Sequence, residues 1–298
     1  MRLLHCAGMS LIELLLSLLL SNILLLSIIN LLSHTFKDYQ QQQQQIRQLE
    51  SWRTLDFIFS HAIHMAGFFG CRSRLTSQVH NNLRDPNLTE SYIIDLINTH
   101  LALNAYHVTR SNTVPVFIRR NAKPDSDAFI VSNLDTNTTV LQQDMSSADG
   151  MLKLQDKLLL KDRDILIIND CQDTDIFTID SKNTTKRQWL SSLRPTNKLS
   201  KAYLHGAQIG KFTWQLFYLR KTKGNSSTYS LYRREQQSRS DNLLDKVQNM
   251  RLYVALQHHL ADYIPVAQVQ NWQQVEKVKI EITRQNGKQH VFFITLRN

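Results

Sequence analysis

A single carboxylate lies inside a long apolar segment near the start of the chain. Glu13 is the only charged side chain in residues 9–32. A carboxylate placed in hydrocarbon costs roughly 3 kcal/mol or more, so it marks a functional site. In one interpretation, cleavage after Gly8 creates an α-amino group on Met9, which pairs with Glu13 of a neighbouring parallel helix. In the alternative, Glu13 only reaches the aqueous interface at the near end of the segment.

A second group of acids surrounds the apolar run 165–168. Its members are Asp162, Asp164, Asp170, Asp173 and Asp175. Calcium is bound by about six to eight oxygens around a tight turn, which a glycine usually permits. No glycine occurs between positions 162 and 175, and the apolar run separates the acids. We therefore expect these acids to flank strands and not to bind calcium.

The histidine pairs and the absence of familiar catalytic motifs give little indication of metal binding or catalysis. His61 with His64, and His258 with His259, have spacings that metals accept, but neither pair has a supporting cysteine or acid. The sequence lacks a Gly-X-Ser-X-Gly elbow, a His-Glu-X-X-His zinc motif and a Gly-X-X-X-X-Gly-Lys phosphate loop. We therefore expect no metal, no cofactor and no catalysis. A membrane-anchored enzyme of unfamiliar kind is the alternative.

The net charge of +10 is spread along the chain. A basic surface attracts phosphates, acidic glycans and anionic lipid headgroups. However, no basic stripe is interleaved with aromatic residues as in a nucleic-acid platform. We interpret the charge as a solubilising surface, so nucleic acid is not indicated as a partner. A head that binds DNA, glycan or another surface is the alternative.

Residues 9–32 have the length and composition of a membrane helix. At about 1.5 Å per residue, the segment spans a hydrocarbon core of about 30 Å. A secretory signal has its small-residue cleavage site after the apolar run. Here the small pair Ala7 and Gly8 precedes the run, and cleavage after Gly8 would leave the helix attached. The sequence thus predicts a leader at 1–8 and a permanent membrane anchor at 9–32.

The helical pattern continues beyond the anchor to about residue 66. One apolar stripe recurs at steps of three and four: Ile46, Leu49, Trp52, Leu55, Phe59, Ile63 and Ala66. The glutamine tract 40–45 is predicted to be a solvated helical neck, because glutamine favours helices, with a flexible linker as the alternative. Gly67 is predicted to end the helix as a left-handed cap. The soluble half of the helix is therefore placed at 33–66.

The remainder, 67–298, reads as a β-rich head. Strands are predicted at 128–131, 164–168, 175–179, 212–219, 229–232, 277–283 and 291–296. Asn286 and Gly287 separate the last two runs and predict a hairpin. Segments 81–89 and 181–201 have little periodicity and are expected to be surface loops. The fold class is α+β: a long N-terminal helix, half in the membrane, packed on an antiparallel β-sheet head.

The N-terminal motif resembles the class III signal of type IV prepilins and pseudopilins. Residues 8–14 read Gly-Met-Ser-Leu-Ile-Glu-Leu, with Met9 where the family more often has phenylalanine. The resemblance implies that prepilin peptidase cuts after Gly8 and N-methylates Met9. It also implies that Glu13, the fifth mature residue, acts in subunit assembly. The N-terminus would be cytoplasmic and the head periplasmic.

Three segments of the head resemble PilW-like minor pilins: 64–71, 164–171, and the tail block 247–251 with 269–275. The resemblance implies a pilin-like structural subunit that primes type IV pilus assembly and sits near the tip. Its partners would be other minor pilins, the major pilin, prepilin peptidase and the bacterial inner membrane, before it reaches the pilus at the cell surface. A J-type pseudopilin of type II secretion is the alternative.

Three cysteines are present, at positions 6, 71 and 171. In the PilW-like resemblance, Cys71 ends a Gly-Cys pair and Cys171 ends an Asp-Cys pair. Removal of the leader would take Cys6 away, and the periplasm favours disulfides. The resemblance therefore implies a bridge between Cys71 and Cys171, with two buried free thiols as the alternative.

Overall fold

The structure is a computed structural model that describes most of the chain. The described residues are 11–70, 78–83, 93, 96–97, 102–111, 114–160, 164–179, 188–222, 224, 227–235, 240–257 and 259–296. The chain divides into two compact units, Met1–Leu55 and Asp56–Asn298. The division falls inside the first helix, ahead of the head boundary that was predicted at residue 67.

Helix α1, Leu11–His64, is a single α-helix of 54 residues. It is long and apolar enough to cross a membrane, and none of its most apolar stretch is buried within the chain. The glutamine tract 40–45 lies within it and is helical, as predicted. The start of the predicted apolar stripe is not buried within the chain: Ile46 and Leu49 are 53% and 60% exposed.

The end of α1 follows the prediction closely. The helix ends at His64, and Gly67 adopts φ 76°, the left-handed conformation expected of a glycine cap. The backbone N–H of Gly67 donates a hydrogen bond to the carbonyl oxygen of Ser132, at 2.8 Å. The cap therefore joins the end of the helix to the sheet.

The strands of the described head are β1 (Gln78–Asn82), β2 (Leu103–His107), β3 (Asp127–Val140), β4 (Leu152–Leu160), β5 (Ile165–Asn169), β6 (Asp173–Thr178), β7 (Gln188–Leu193), β8 (Gln208–Lys221), β9 (Tyr229–Glu235), β10 (Asp241–Leu256), β11 (His259–Pro265), β12 (Val275–Arg284) and β13 (Gln289–Thr295). A short helix α2, Val116–Asn121, precedes β3. Two 3₁₀ turns, Val266–Gln268 and Trp272–Gln274, follow β11.

The strands form one large sheet and one small sheet. The main path runs β1-β6-β5-β8-β9-β10-β12-β13, with β3 also on β8, β2 on β3 and β11 on β10, while β4 and β7 form a separate pair. The α+β class is confirmed. The sheet is not purely antiparallel as predicted, because β1 pairs in parallel with β6.

Two predicted loops contain strands. Segment 81–89 begins inside β1, and segment 181–201 contains β7. The remaining residues 84–89 and 181–187 lie outside the described residues. β7 carries mainly exposed side chains, so burial imposes no alternation on its sequence. The predicted hairpin is confirmed: β12 pairs with β13, and Gly287 adopts φ 77° between them.

Strand β8 is shared by two branches of the sheet. One edge pairs with β3 at residues 208–210 and 212–217. The opposite edge pairs with β5 at residues 208–211 and with β9 at residues 215–221. Between these partners the edge of β8 opens, so the sheet forks there.

The last turns of α1 pack on one face of this sheet through Phe59, which is fully buried. Its ring makes edge-to-face contacts with Phe129, Phe217 and Phe292, at centroid distances of 5.6, 5.3 and 5.3 Å. Phe129 and Phe217 are cross-strand partners whose rings stack at 4.6 Å. Such pairs add about 0.5–1.5 kcal/mol each beyond area burial.

Replacing Phe59 by alanine tests this packing. Loss of a fully buried phenylalanine should lower the free energy of unfolding by about 3–5 kcal/mol, because a cavity forms among the three rings. Phe57, 71% exposed on the same helix, is the matched control, and Phe57→Ala should change stability by less than about 0.5 kcal/mol. Guanidinium unfolding of the full chain in detergent, followed by near-ultraviolet circular dichroism, gives both values. Equal losses in the two variants would contradict the packing.

Candidate functional site

Glu13 lies in the first turn of the described helix. It is exposed, and so are its apolar neighbours Leu11, Ile12 and Leu14. Gly8 and Met9, the predicted cleavage and methylation positions, lie outside the described residues. The carboxylate is thus placed at one end of an apolar helix surface, where an ion pair would be poorly screened by water.

Hydroxyl groups along the apolar part of α1 bond to the helix itself. The side chains of Ser17, Ser27 and Thr35 donate to backbone carbonyl oxygens one turn earlier, at 2.8–2.9 Å. Such bonds let hydroxyls enter hydrocarbon or a helix interface at low cost.

Cys171 lies at the tip of the turn that joins β5 to β6, and it is disulfide-bonded. Its predicted partner, Cys71, lies outside the described residues. Cys171 adopts φ 72°, a left-handed conformation that costs a non-glycine residue roughly 1–2 kcal/mol. The pairing of Cys171 with Cys71 stays a prediction.

Side-chain hydrogen bonds hold this turn in place. The amide oxygen of Asn169 accepts from the Cys171 N–H at 2.8 Å, and its amide nitrogen donates to Thr174. One carboxylate oxygen of Asp170 accepts from the N–H groups of Gln172 and Asp173, at 3.1 and 3.0 Å. Together these bonds offset the strain at Cys171.

The segment after the helix lies against the base of the same turn. Gly70 has φ 125°, and a Cβ atom there would lie 2.9 Å from Gln208 Oε1 and 3.5 Å from Asn169 Cγ. Only glycine fits this conformation and this space. Gly70 directly precedes Cys71 in the sequence, and Asn169 is two residues from Cys171, so Gly70 lies beside the turn that carries Cys171.

The acids that flank β5 and β6 are paired with lysines. Lys201 Nζ lies 2.7 Å from Asp170 and 2.6 Å from Asp173, and Lys211 Nζ lies 3.0 Å from Asp164. Burial raises the pKa of Asp170, but hydrogen bonds from the Asp173 N–H and from Lys201 outweigh it, so the pKa lies below its usual value. Asp164 and Asp170 flank β5, as predicted, whereas Asp173 is the first residue of β6.

Metal-binding geometry is not seen in the described part of the chain. No group of three or more His, Cys, Asp or Glu there is arranged to hold a metal ion. His61 and His64 are both exposed, and His61 stacks on Phe57 at 6.1 Å. Asp162, His258 and the side chain of His259 lie outside the described residues.

Asp175 has a structural role that sequence analysis missed. Its carboxylate is fully buried and accepts hydrogen bonds from Ser200 and Tyr203, at 2.7 and 2.8 Å, and from Asn82 of β1. Burial, together with the charge of Asp175, raises the pKa of Tyr203. The one signal in the sequence was an aspartate directly before the apolar pair Ile176 and Phe177, but its partners are distant along the chain.

Comparisons of the chain with protein-family models, with curated proteins and with solved structures found no match. A functional proposal therefore depends on the residues and on their arrangement.

The bridge is tested by non-reducing peptide mapping of the membrane-extracted protein. One disulfide-linked peptide pair containing Cys71 and Cys171 is expected. The Cys71→Ser/Cys171→Ser variant should melt earlier and be cut by protease near Gly67, because the bridge closes a loop of about 100 residues worth up to about 4–5 kcal/mol.

Cys6→Ser is the matched control for this experiment. It should leave the melting temperature and the disulfide map unchanged, since Cys6 belongs to the predicted leader. A linked peptide containing Cys6, or free alkylation of Cys71 in the oxidised protein, would refute the pairing.

Proposed function

We propose that this chain is a minor pilin, a non-catalytic subunit that helps prime type IV pilus assembly and sits near the pilus tip. The supporting observation is α1: its N-terminal part exposes an apolar surface with one carboxylate, and its last turns are built into a β head. This arrangement suits a subunit that is stored in a membrane and then packed into a helical filament.

The apolar surface of α1 must be covered by something other than water. Lipid can cover about 30 Å of helix, which is roughly 20 residues. Ile46 and Leu49 lie about 50 Å or more along the helix from Leu11, beyond the reach of one bilayer. They are nevertheless more than half exposed. Their exposure therefore favours a protein partner for this part of the helix, as neighbouring pilin helices would provide.

Glu13 would set the register between neighbouring subunits. Cleavage after Gly8 would create an α-amino group on Met9, four positions before Glu13 in the sequence. A small axial stagger between parallel helices brings the amine of one subunit to the carboxylate of the next. In a helix bundle of low dielectric, losing one partner of such a pair costs several kcal/mol. The pair would thus favour one stagger over all others.

The remaining parts of the proposal follow from the resemblance to the PilW-like group. Prepilin peptidase would process the chain, the N-terminus would lie in the cytoplasm and the head would enter the periplasm. Other minor pilins and the major pilin would be its partners. A J-type pseudopilin would share α1 and Glu13, so the two cysteine contexts, at 70–71 and 170–171, are what favour the minor pilin.

The Glu13→Ala variant tests the assembly role. It should be cleaved and inserted normally, because removal of a charge eases insertion, yet it should be poorly incorporated into pili. Glu50→Ala is the matched control, since Glu50 is an exposed acid on the same helix, beyond the membrane segment. The measurements are pilus number by electron microscopy and the amount of this subunit in sheared pili.

Two outcomes would contradict the assignment. Normal pilus number and normal incorporation of Glu13→Ala would refute the proposed ion pair. Failure of the same variant to insert into the membrane would give Glu13 a role other than subunit assembly.

A further inference from the structure

A cleft in the head lies where the sheet forks along β8. Its volume is about 680 Å³, within the range of ligand sites. β3 and β8 form the floor, the pair β4 and β7 forms a wall, and the end of β9 closes one side. Nothing in the proposed assembly role uses this cleft.

A β-bulge in β3 shapes the floor. Leu134 pairs with Phe212 and Thr138 with Gly210, so the three residues 135–137 stand opposite Lys211 alone. Bulges redirect side chains and are frequent beside binding sites. A Cβ atom on Gly210 would lie 2.8 Å from Leu134 and 2.9 Å from Thr138, so glycine at 210 accommodates the bulge.

The bulge presents polar groups at the cleft. The Asp135 carboxylate accepts from the N–H of Asn137 and from the hydroxyl of Thr136, at 3.4 and 3.3 Å. These bonds fold the bulge into a compact turn. The Asn137 side chain is exposed and lines the cleft.

One face of β8 becomes polar only at the cleft. Alternation places Ile209, Lys211, Thr213, Gln215 and Phe217 on the same face. Ile209 and Phe217 are fully buried, whereas the three residues between them are polar and line the cleft. Ligand pockets combine apolar lining with a few convergent polar groups, and this polar patch between apolar residues fits that description.

Trp189 of β7 supplies an exposed ring on the opposite wall. It is 65% exposed, although an indole is costly to leave in water. An indole face above a set of hydrogen-bonding groups suits a ring that is apolar on its faces and polar around its edge. Pyranose sugars have this chemistry.

The charges of the cleft exclude a strongly anionic ligand. Asp164 is paired with Lys211 at 3.0 Å, and Glu235 is paired with Arg233 at 3.2 Å. With Asp135 and Lys157 also lining the cleft, acids and bases nearly balance, although the whole chain has a charge of +10. Phosphate and nucleic acid require a surplus of cations. A neutral ligand fits better.

We propose that the cleft binds a neutral oligosaccharide. One sugar ring stacks on Trp189, and its hydroxyl groups bond to Asn137, Asp135 and Gln215. The proposal does not depend on pilus assembly: binding is measured on the isolated protein, and either proposal can fail alone.

The test uses the full chain in lipid nanodiscs, because detergents with sugar headgroups would compete for the cleft. The probes are fluorescently labelled neutral oligosaccharides of glucose, mannose, galactose and N-acetylglucosamine, measured by fluorescence polarisation. At least one should bind, with an affinity that changes little between low and high salt. Trp189→Ala should weaken this binding at least about tenfold, as expected for an aromatic anchor.

Phe293→Ala is the matched control, because Phe293 is also 65% exposed but lies outside the cleft. It should bind as tightly as the unmodified chain. Asn137→Ala serves as a second cleft variant whose change is confined to an exposed side chain, and it should also weaken binding. Thermal melting of each variant shows that the fold is retained.

Three results would overturn the proposal. The first is that no neutral oligosaccharide of the panel binds. The second is that Trp189→Ala and Asn137→Ala both bind as tightly as the unmodified chain. The third is that a DNA duplex binds more tightly than every sugar, with an affinity that falls steeply with salt, which would assign the surface to nucleic acid.

Discussion

The head is organised around the burial of Phe59 at the end of α1. Its ring contacts the cross-strand pair Phe129 of β3 and Phe217 of β8, and also Phe292 of β13, the last strand of the main sheet path. These contacts, with the Gly67 cap bonded to Ser132, fix the last turns of the helix on the sheet. Cys171, at the turn between β5 and β6, is disulfide-bonded.

The sequence predicted those elements whose signals are local. Gly67 adopts the predicted left-handed conformation, and the hairpin at Asn286 and Gly287 has the predicted strands on both sides. Both follow from backbone preferences that neighbouring residues do not override. The helicity of the glutamine tract also follows from intrinsic propensity.

Features that depend on distant partners were not predictable. The sequence of β7 has little periodicity because most of its side chains are exposed, and its partner β4 is not adjacent in sequence, so no local pattern indicates a strand there. Parallel pairing of β1 with β6 has no local signal in the sequence, since it depends on the edge of β6 that β5 leaves unpaired in the folded sheet. The β3 bulge, and with it the cleft, arises from the registers of β3 and β8 together. The same holds for the burial of Asp175, whose donors come from residues 82, 200 and 203.

The proposed function requires that α1 remain attached as the N-terminal part of the mature protein. Intact-mass analysis of the membrane-extracted protein tests this requirement most directly. The proposed function predicts the mass of a chain that begins at Met9 and carries one added methyl group, which places Glu13 at the fifth position. A chain that begins at Met1, or one that begins after residue 32, would contradict it.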